Sequence, residues 1–413
     1  MSFFSTPLSG LSASSAALQS ISNNLANMNT DGYKAQNSVF SDVFYQNYGT
    51  SGSGNPIQSG LGVQVAGTTS DLSNGHLSAT GVASNLALNG NGYFVVRNNN
   101  GALNYTRSGD FTTNSTGQLT TTGGQFVMGY PAVGGVINTN SALQPLNVGA
   151  GTTTAANPTS KFALTTNLNA SATVGDTFNS PLSVYDSLGA AHTLTVTYTK
   201  TANNTWSYNA GVPSTDIQGG TGSSTSAGSG TLVFDSTGAL ASPTGSISLS
   251  IKSFANGAAD MNPTWNLTDS SGSSLLRQTA STASNSATSQ DGFAAGTLSS
   301  FSVLTDGTVE ATFTNGQNRA LGQVVLASFA NPEGLSRDGG NIYAMTSASG
   351  APVVGTAGTG GRGTIVGSTV EQSNVDVAKE FAQLIVAQRS YEANAKAITA
   401  FDQIEQATIA MKN

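Results

Sequence analysis

The stretch SNVDVAKEFAQLIVAQRSYEANAKAITAFDQIEQATIAM, Ser373 to Met411, decides how the rest of the chain is read. Val377, Phe381, Leu384, Gln388, Tyr391, Ala395 and Ile398 recur at alternating spacings of four and three. That is the stripe of a helix packed along another helix. A three-residue step at Phe401 restarts the stripe through Ile404, Thr408 and Met411, as a stammer does. Ser373 with Asp376 three positions on reads as a capping box. At a rise of about 1.5 Å per residue such a helix runs on the order of 55 Å. It is too long for one small domain and its stripe is too narrow to form a core alone, so it needs partners.

A matching stripe opens the chain. Thr6 can cap and Pro7 can take the first helical position. Leu11, Ser14, Leu18, Ile21, Leu25 and Met28 then follow at the same three-four spacing. No charged side chain occurs in residues 1–30, so this helix is expected to be in contact on most sides. Two matching stripes at opposite ends predict a paired helical layer. The interface residues expected there are Leu11, Leu18, Ile21, Leu25 and Met28, with Val377, Phe381, Leu384, Tyr391, Ala395 and Ile398.

Between the ends the composition is bland. Of 413 residues only 8% are charged and 49 are glycine; the net charge is −7 and the pI near 4.7. Few like charges keep such surfaces apart, which favours self-association. An acidic chain of this kind lacks the basic face that nucleic-acid binding requires. Cysteine is absent, so no disulfide framework or thiolate metal site is expected. The first thirty residues lack the basic segment of a secretory signal, and Ser and Asn interrupt their apolar positions too often for a membrane span.

Two β-rich blocks are expected. In the first, Tyr93-Phe94-Val95-Val96, Leu103 with Tyr105, Phe111, Leu119 and Phe126-Val127-Met128 are short strands. Turns rich in Asn, Thr and Gly at 98–101, 114–117 and 121–124 separate them. In the second, Leu194, Val196 and Tyr198 alternate with threonines as a half-buried strand, and Ile247, Leu249 and Ile251 repeat the pattern. The Gly/Ser/Thr run 219–230 is expected to be a loop. After Leu298 the character of the first block returns, with turns at Asp306-Gly307 and Asn315-Gly316. The order is therefore nested. An inner helical domain takes 1–34 and 372–413, and connectors take 35–70 and 355–371, with a flexible Gly-rich loop at 49–62. An inner β domain takes 71–146 and 298–354, and an outer β domain takes 147–297. The fold class expected is α+β multidomain: terminal heptad α-helices pairing as a coiled-coil-like layer, with two nested all-β domains.

The segment that closes the first helix, Asn24 to Lys34, reads N-x-A-N-x-x-T-x-G-Y-K, carried by Asn24, Ala26, Asn27, Thr30, Gly32, Tyr33 and Lys34. It resembles the N-terminal signature of the rod and hook family of bacterial flagellar axial proteins, and Ser373–Ile398 resembles that family's C-terminal signature. The run Leu86–Phe94 is similar to a segment shared by rod and hook proteins. Ser180–Gly189, followed by His192-Thr-Leu-Thr-Val, resembles the outer domain of hook proteins.

The resemblance implies a homopolymeric tube of terminal helices around an export channel, with the β domains as outer layers, acting as a universal joint that transmits motor torque to the filament. It implies the distal rod, hook cap and hook–filament junction proteins as partners. It also implies an extracellular location in the hook, beside the basal body, reached through the flagellar type III export apparatus without a cleaved signal peptide. Neither nucleic-acid binding nor membrane insertion is expected. Two alternatives stand beside this reading: a distal rod subunit, and a secreted β-rich adhesive or carbohydrate-binding module.

The residues offer little to catalysis. His76 and His192 are the two histidines, neither within a ligand spacing such as H-x-x-x-H. No nucleophile elbow, phosphate loop or paired carboxylates in an apolar context occur. Gly90-Asn91-Gly92 lacks the third glycine and following helix of a dinucleotide loop. No catalytic, metal-binding or cofactor-binding residue is expected.

Overall fold

The computed structural model describes residues 5–149 and 151–411, which divide into two compact units. Among the described residues, one unit takes those of Met1–Ala150, Ser300–Ala311 and Asn318–Asn413. The other takes Gly151–Ser299 and Thr312–Gln317. The fold is mostly β, with two helices in the first unit.

Helix α1 covers Ser5–Ala26 and helix α2 covers Val377–Ala410. Thr6 lies inside α1 and so does not cap it. Asp376 caps α2: its side chain accepts from the amides of Ala378 (2.9 Å) and Lys379 (3.1 Å), taking the role expected of Ser373. α1 is flanked by α2 and by a long two-stranded antiparallel ribbon, Gln36–Asp42 with Val63–Ser70. The ribbon's outer part, Tyr45–Thr50 paired with Pro56–Gly60, is a hairpin and not the flexible loop expected at 49–62. Tyr45, Tyr48 and Ile57 suit strand geometry, and Gly49 sits within the strand opposite Ile57, beside a register shift.

In the sheet of the first unit, the strand Phe126–Val133 lies between Asn318–Ser328 and Tyr93–Arg97; Leu103–Thr106, Ile342–Ala344 and Ser336–Gly339 continue outward. Both faces are covered. Phe94, Val96, Val324 and Leu326 point into one apolar cluster, while Tyr93, Val95, Val325 and Ala327 point into another. That explains the unbroken apolar runs in these strands, because neither face can be polar. Leu146, Val148 and Ile365 belong to the first cluster, so core residues extend into both the 147–297 block and the 355–371 connector of the sequence reading.

The second unit holds a five-stranded antiparallel meander: Thr177–Tyr185, Ala191–Ala202, Thr205–Pro213, Ser224–Phe234 and Leu240–Ser242. A second sheet pairs Lys161–Asn169 with Thr264–Asn266 and Leu276–Thr279 in parallel and with Ser284–Gln290 antiparallel, and Ser246–Ser248 lies outside Thr264–Asn266. The two sheets share one core around Phe162, Tyr198, Trp206 and Trp265. Leu194, Val196 and Tyr198 point inward and their threonine neighbours outward. The strand at Ile247 is shorter than the pattern suggests, ending at Ser248 before Leu249 and Ile251 enter the core. The run 219–230 is a loop only to 223. From Ser224 it is a strand whose Gly228 and Gly230 let Leu249 and the Tyr208 ring close in; a Cβ at either glycine would lie 2.8 Å from them.

Candidate assembly surface and its polar anchor

The helices run antiparallel: Asn24 of α1 meets Glu380 of α2, and Gly10 meets Asn394. The contact is made by small residues. In α1 the buried positions within the helix include Ala13, Ser14, Ile21 and Asn24; in α2 they are Glu380 and Ala387. A Cβ on Gly10 would lie 2.8 Å from the Asn394 amide, so the backbones approach closely there.

Within one chain the contact differs in part from the expected stripe. Gly10, Ser14, Ala17, Ile21 and Asn24 also form a four-three series, which shares Ser14 and Ile21 with the leucine stripe and otherwise runs one position before it. Leu11, Leu18, Leu25, Leu384, Ala395 and Ile398 are only half-buried. Ile21 is buried, while Met28, Val377, Phe381 and Tyr391 are exposed. Small side chains win because they allow a shorter separation between helix axes than a leucine layer does. The helices therefore pack within the chain through Ser14 and Ile21 of the expected stripe together with small residues beside it, and most of the stripe's larger side chains are left only part-covered or exposed.

What this leaves on α2 is an apolar ridge without a cover. Val377, Phe381 and Ile385 recur every four residues on one side of the helix and are 38%, 52% and 52% exposed. Val386, Ile404 and Ile409 are exposed as well. Beside α1 and α2 an open groove of ≈ 770 Å³ is lined by Ala17, Ile21, Phe40, Val63 and Val386 among others.

The end of α1 is held by a buried polar anchor built from the Asn24–Lys34 segment. Asn24 is saturated. Its Oδ1 accepts from the Tyr33 hydroxyl (3.1 Å) and the Gln36 amide (2.9 Å), and its Nδ2 donates to the Gln36 carbonyl (2.9 Å) and Glu380 (3.1 Å). Asn27 donates back to the Asn23 carbonyl and accepts from Thr30, shaping the turn after the exposed Ala26. Gly32 has φ +71° and donates to the Glu371 carbonyl at 2.6 Å; a Cβ there would meet the Ser108 amide at 2.5 Å. Only glycine fits both demands. Lys34 is fully buried and donates to Glu371 Oε1 (2.6 Å) and the Ser73 carbonyl (2.7 Å). Glu371 also accepts from the Gly75 amide and lies 3.6 Å from Arg107. Asn374 accepts from the Ala35 amide and donates to the Asp71 carbonyl. Arg337 donates to Ser70 and sits over the Tyr33 and Tyr343 rings.

Burial pushes the Lys34 ammonium below its ordinary pKa, partly offset by its hydrogen bond to Glu371. Burial raises the Tyr33 phenol. Glu371, Arg107, Arg337, Asn374 and Glu380 were absent from the sequence reading. The available signal was rarity: where 8% of residues are charged, a glutamate inside the strand Thr369–Glu371 stands out. Replacing Glu371 with Ala strands Lys34 in the interior and is expected to cost about 3–5 kcal/mol in urea unfolding. A paired Lys34→Met/Glu371→Leu change should recover most of it. A loss under about 1 kcal/mol for Glu371→Ala would show that the anchor carries little.

Among the described residues no group of three or more His, Cys, Asp or Glu is arranged to hold a metal ion, and no helix is long and apolar enough to cross a membrane. His76 is exposed, and His192 lies in the second unit between two aspartates.

Four family models match the chain in order. They are a flagella basal body rod protein model (residues 4–34), the D1 domain of flagellar hook protein FlgE/F/G (87–155), the flagellar basal body protein FlaE D2 domain (165–293), and the C-terminal model of flagellar basal body rod FlgEFG proteins (366–411). The chain is 34% identical over 418 residues to the flagellar hook protein FlgE of Escherichia coli K12, covering 97% of this chain and 98% of the relative. It is 34% identical over 414 residues to that of Salmonella typhimurium, with the same coverage. To that of Treponema pallidum it is 30% identical over 458 residues, covering 98% of both. The crystal structure of the Helicobacter pylori flagellar hook protein FlgE2 shares the fold, with a TM-score of 0.51 at 16% identity over 70% of this chain and 98% of that one.

Proposed function

We propose a mode of assembly for this chain, which belongs to the flagellar hook protein family and is a structural subunit of the flagellar hook. The α1–α2 pair forms the inner layer of a homopolymeric tube, and the α2 ridge of one copy docks on the helices of its neighbours. The tube encloses the export channel through which subunits arrive by the type III apparatus without signal cleavage. The β units form layers outside it, and the whole bends as a universal joint passing torque to the filament outside the cell. The distal rod lies at one end, the cap during growth and the junction proteins at the other.

The observation that carries this reading is the uncovered ridge Val377–Phe381–Ile385 on a helix whose other side is already occupied by α1. Polar neutral surfaces rich in Ser, Thr and Asn support the sliding that bending requires, since no paired charges must be stripped of water at each step. Hydroxyl-radical footprinting tests it. Phe381, Tyr391 and Met411 are expected to label strongly in the monomer and weakly in assembled hooks. Equal labelling in both states would remove the ridge from the interface.

A further inference from the structure

The second unit contains a buried charge cluster with no part in the assembly scheme. His192, on the strand Ala191–Ala202, is 8% exposed. Its Nδ1 lies 2.9 Å from Asp216 Oδ2 and its Nε2 lies 3.0 Å from Asp186 Oδ2. Both nitrogens face carboxylate oxygens, so both must donate, which only the imidazolium can do.

Each partner comes from a different segment. Asp186 is fully buried in the turn after the strand Thr177–Tyr185. Its Oδ1 accepts from the Leu188 and Ala190 amides, and its Oδ2 accepts also from Asn256 Nδ2 at 2.5 Å. Asp216 closes the short 3-10 turn Ser214–Asp216 and is 26% exposed. Phe254 covers the imidazole, ring centroids 4.6 Å apart, on the segment that carries Asn256. Backbone bonds from Ala255 to Asp216 and from Gln218 to Ser253 complete the joint. The ionised groups facing the imidazole are these two aspartates; among the described residues no Lys or Arg forms an ion pair with either.

We propose that His192 is a proton-held latch, fastening the 186–192 hairpin, the 214–218 turn and the 253–257 loop of the outer unit while it is charged and releasing the turn when it is not. The release has a direction. A neutral imidazole keeps one proton, and the buried, four-bonded Asp186 retains it on Nε2. The Nδ1 lone pair then opposes the Asp216 carboxylate, the more exposed partner, which turns away to water. Burial alone disfavours the cation, but the hydrogen bonds and charges of Asp186 and Asp216 outweigh it, so the His192 pKa is raised above 6.5. Because the folded pKa exceeds the unfolded one, the stabilisation is full below pH 6.5 and is lost as pH rises through the folded value. The second unit thus loosens as pH rises through the folded value and stays fastened in mildly acidic medium.

The full chain carrying His76→Gln leaves His192 as the sole imidazole for NMR titration, and His76 is exposed enough to replace freely. The midpoint is expected above 6.5, with resonances of 214–218 and 253–257 shifting together with it. Asp216→Asn, a change at a part-exposed site, should bring the midpoint down. It should also flatten the fall in the outer unit's melting temperature between about pH 6 and about pH 9. A midpoint at or below 6.5, or a melting temperature with the same pH slope in wild type and Asp216→Asn, would overturn the latch.

Discussion

Phe381→Asp combined with Ile385→Asp is expected to abolish hook formation while leaving the monomer folded. Both side chains are 52% exposed in the isolated chain, so the monomer loses little; changes at such surface sites are ordinarily within about 0.5 kcal/mol. In the proposed polymer the same positions would face a neighbour, and two unpaired carboxylates would have to lose their water. The penalty recurs at every subunit, and a growing tube cannot avoid it by rearranging locally. Sedimentation and electron microscopy of the purified variant should show monomers at every concentration that assembles wild type, with an unchanged urea midpoint. Leu384→Asp is the instructive contrast. Leu384 is half-buried beside the α1 contact, so it should weaken both folding and assembly. Hooks of normal length from the double Asp variant would mean that some other surface drives polymerisation.

Removing the second unit should separate assembly from shape. Thr153–Thr154 pairs antiparallel with Gly296–Thr297, and the Leu298 amide donates to the Thr152 carbonyl at 3.0 Å. The two ends of the excursion are therefore hydrogen-bonded neighbours, and a short Asn-Gly turn can join 152 to 298 without stretching the chain. The core around Phe94, Val127 and Leu326 draws nothing from residues 152–298, so the shortened protein is expected to fold. With α1 and α2 intact it should also polymerise. On the proposed assembly it should lose control of curvature, because contacts between second units would no longer limit how neighbouring rows shorten and lengthen around a bend. Straight or irregular tubes and poor swimming are the expected result. An insoluble product would refute the independence of the two units, and normal hooks with normal swimming would deny the second unit any part in the joint.

Much of this architecture is legible in the sequence where one physical rule acts alone. Leu194, Val196 and Tyr198 alternate with threonine because one face of their strand is buried and the other is not. Tyr93–Val96 is an unbroken apolar run because its sheet is covered twice. The close helix contact was harder to read because leucines dominate any count of apolar spacing, whereas Gly10 and Ala17 carry the same period without being hydrophobic enough to count. The strand from Ser224 was hidden for the opposite reason: Gly228 and Gly230 are there for the close approach of Leu249 and Tyr208, and glycine otherwise signals a turn. The anchor was invisible because Lys34 and Glu371 stand 337 positions apart, a pairing that no local period encodes. The Asn24–Lys34 pattern marked one half of it through Gly32 and Lys34, whose partners only the fold reveals.

A helical reconstruction of the assembled hook at side-chain resolution tests the central claim most directly. The account predicts that Val377, Phe381 and Ile385 of each copy lie against helices of adjacent subunits while the Gly10–Asn394 contact within each chain is preserved. A tube in which that ridge faces the water of the channel, or in which α1 and α2 of one chain have parted, would contradict it.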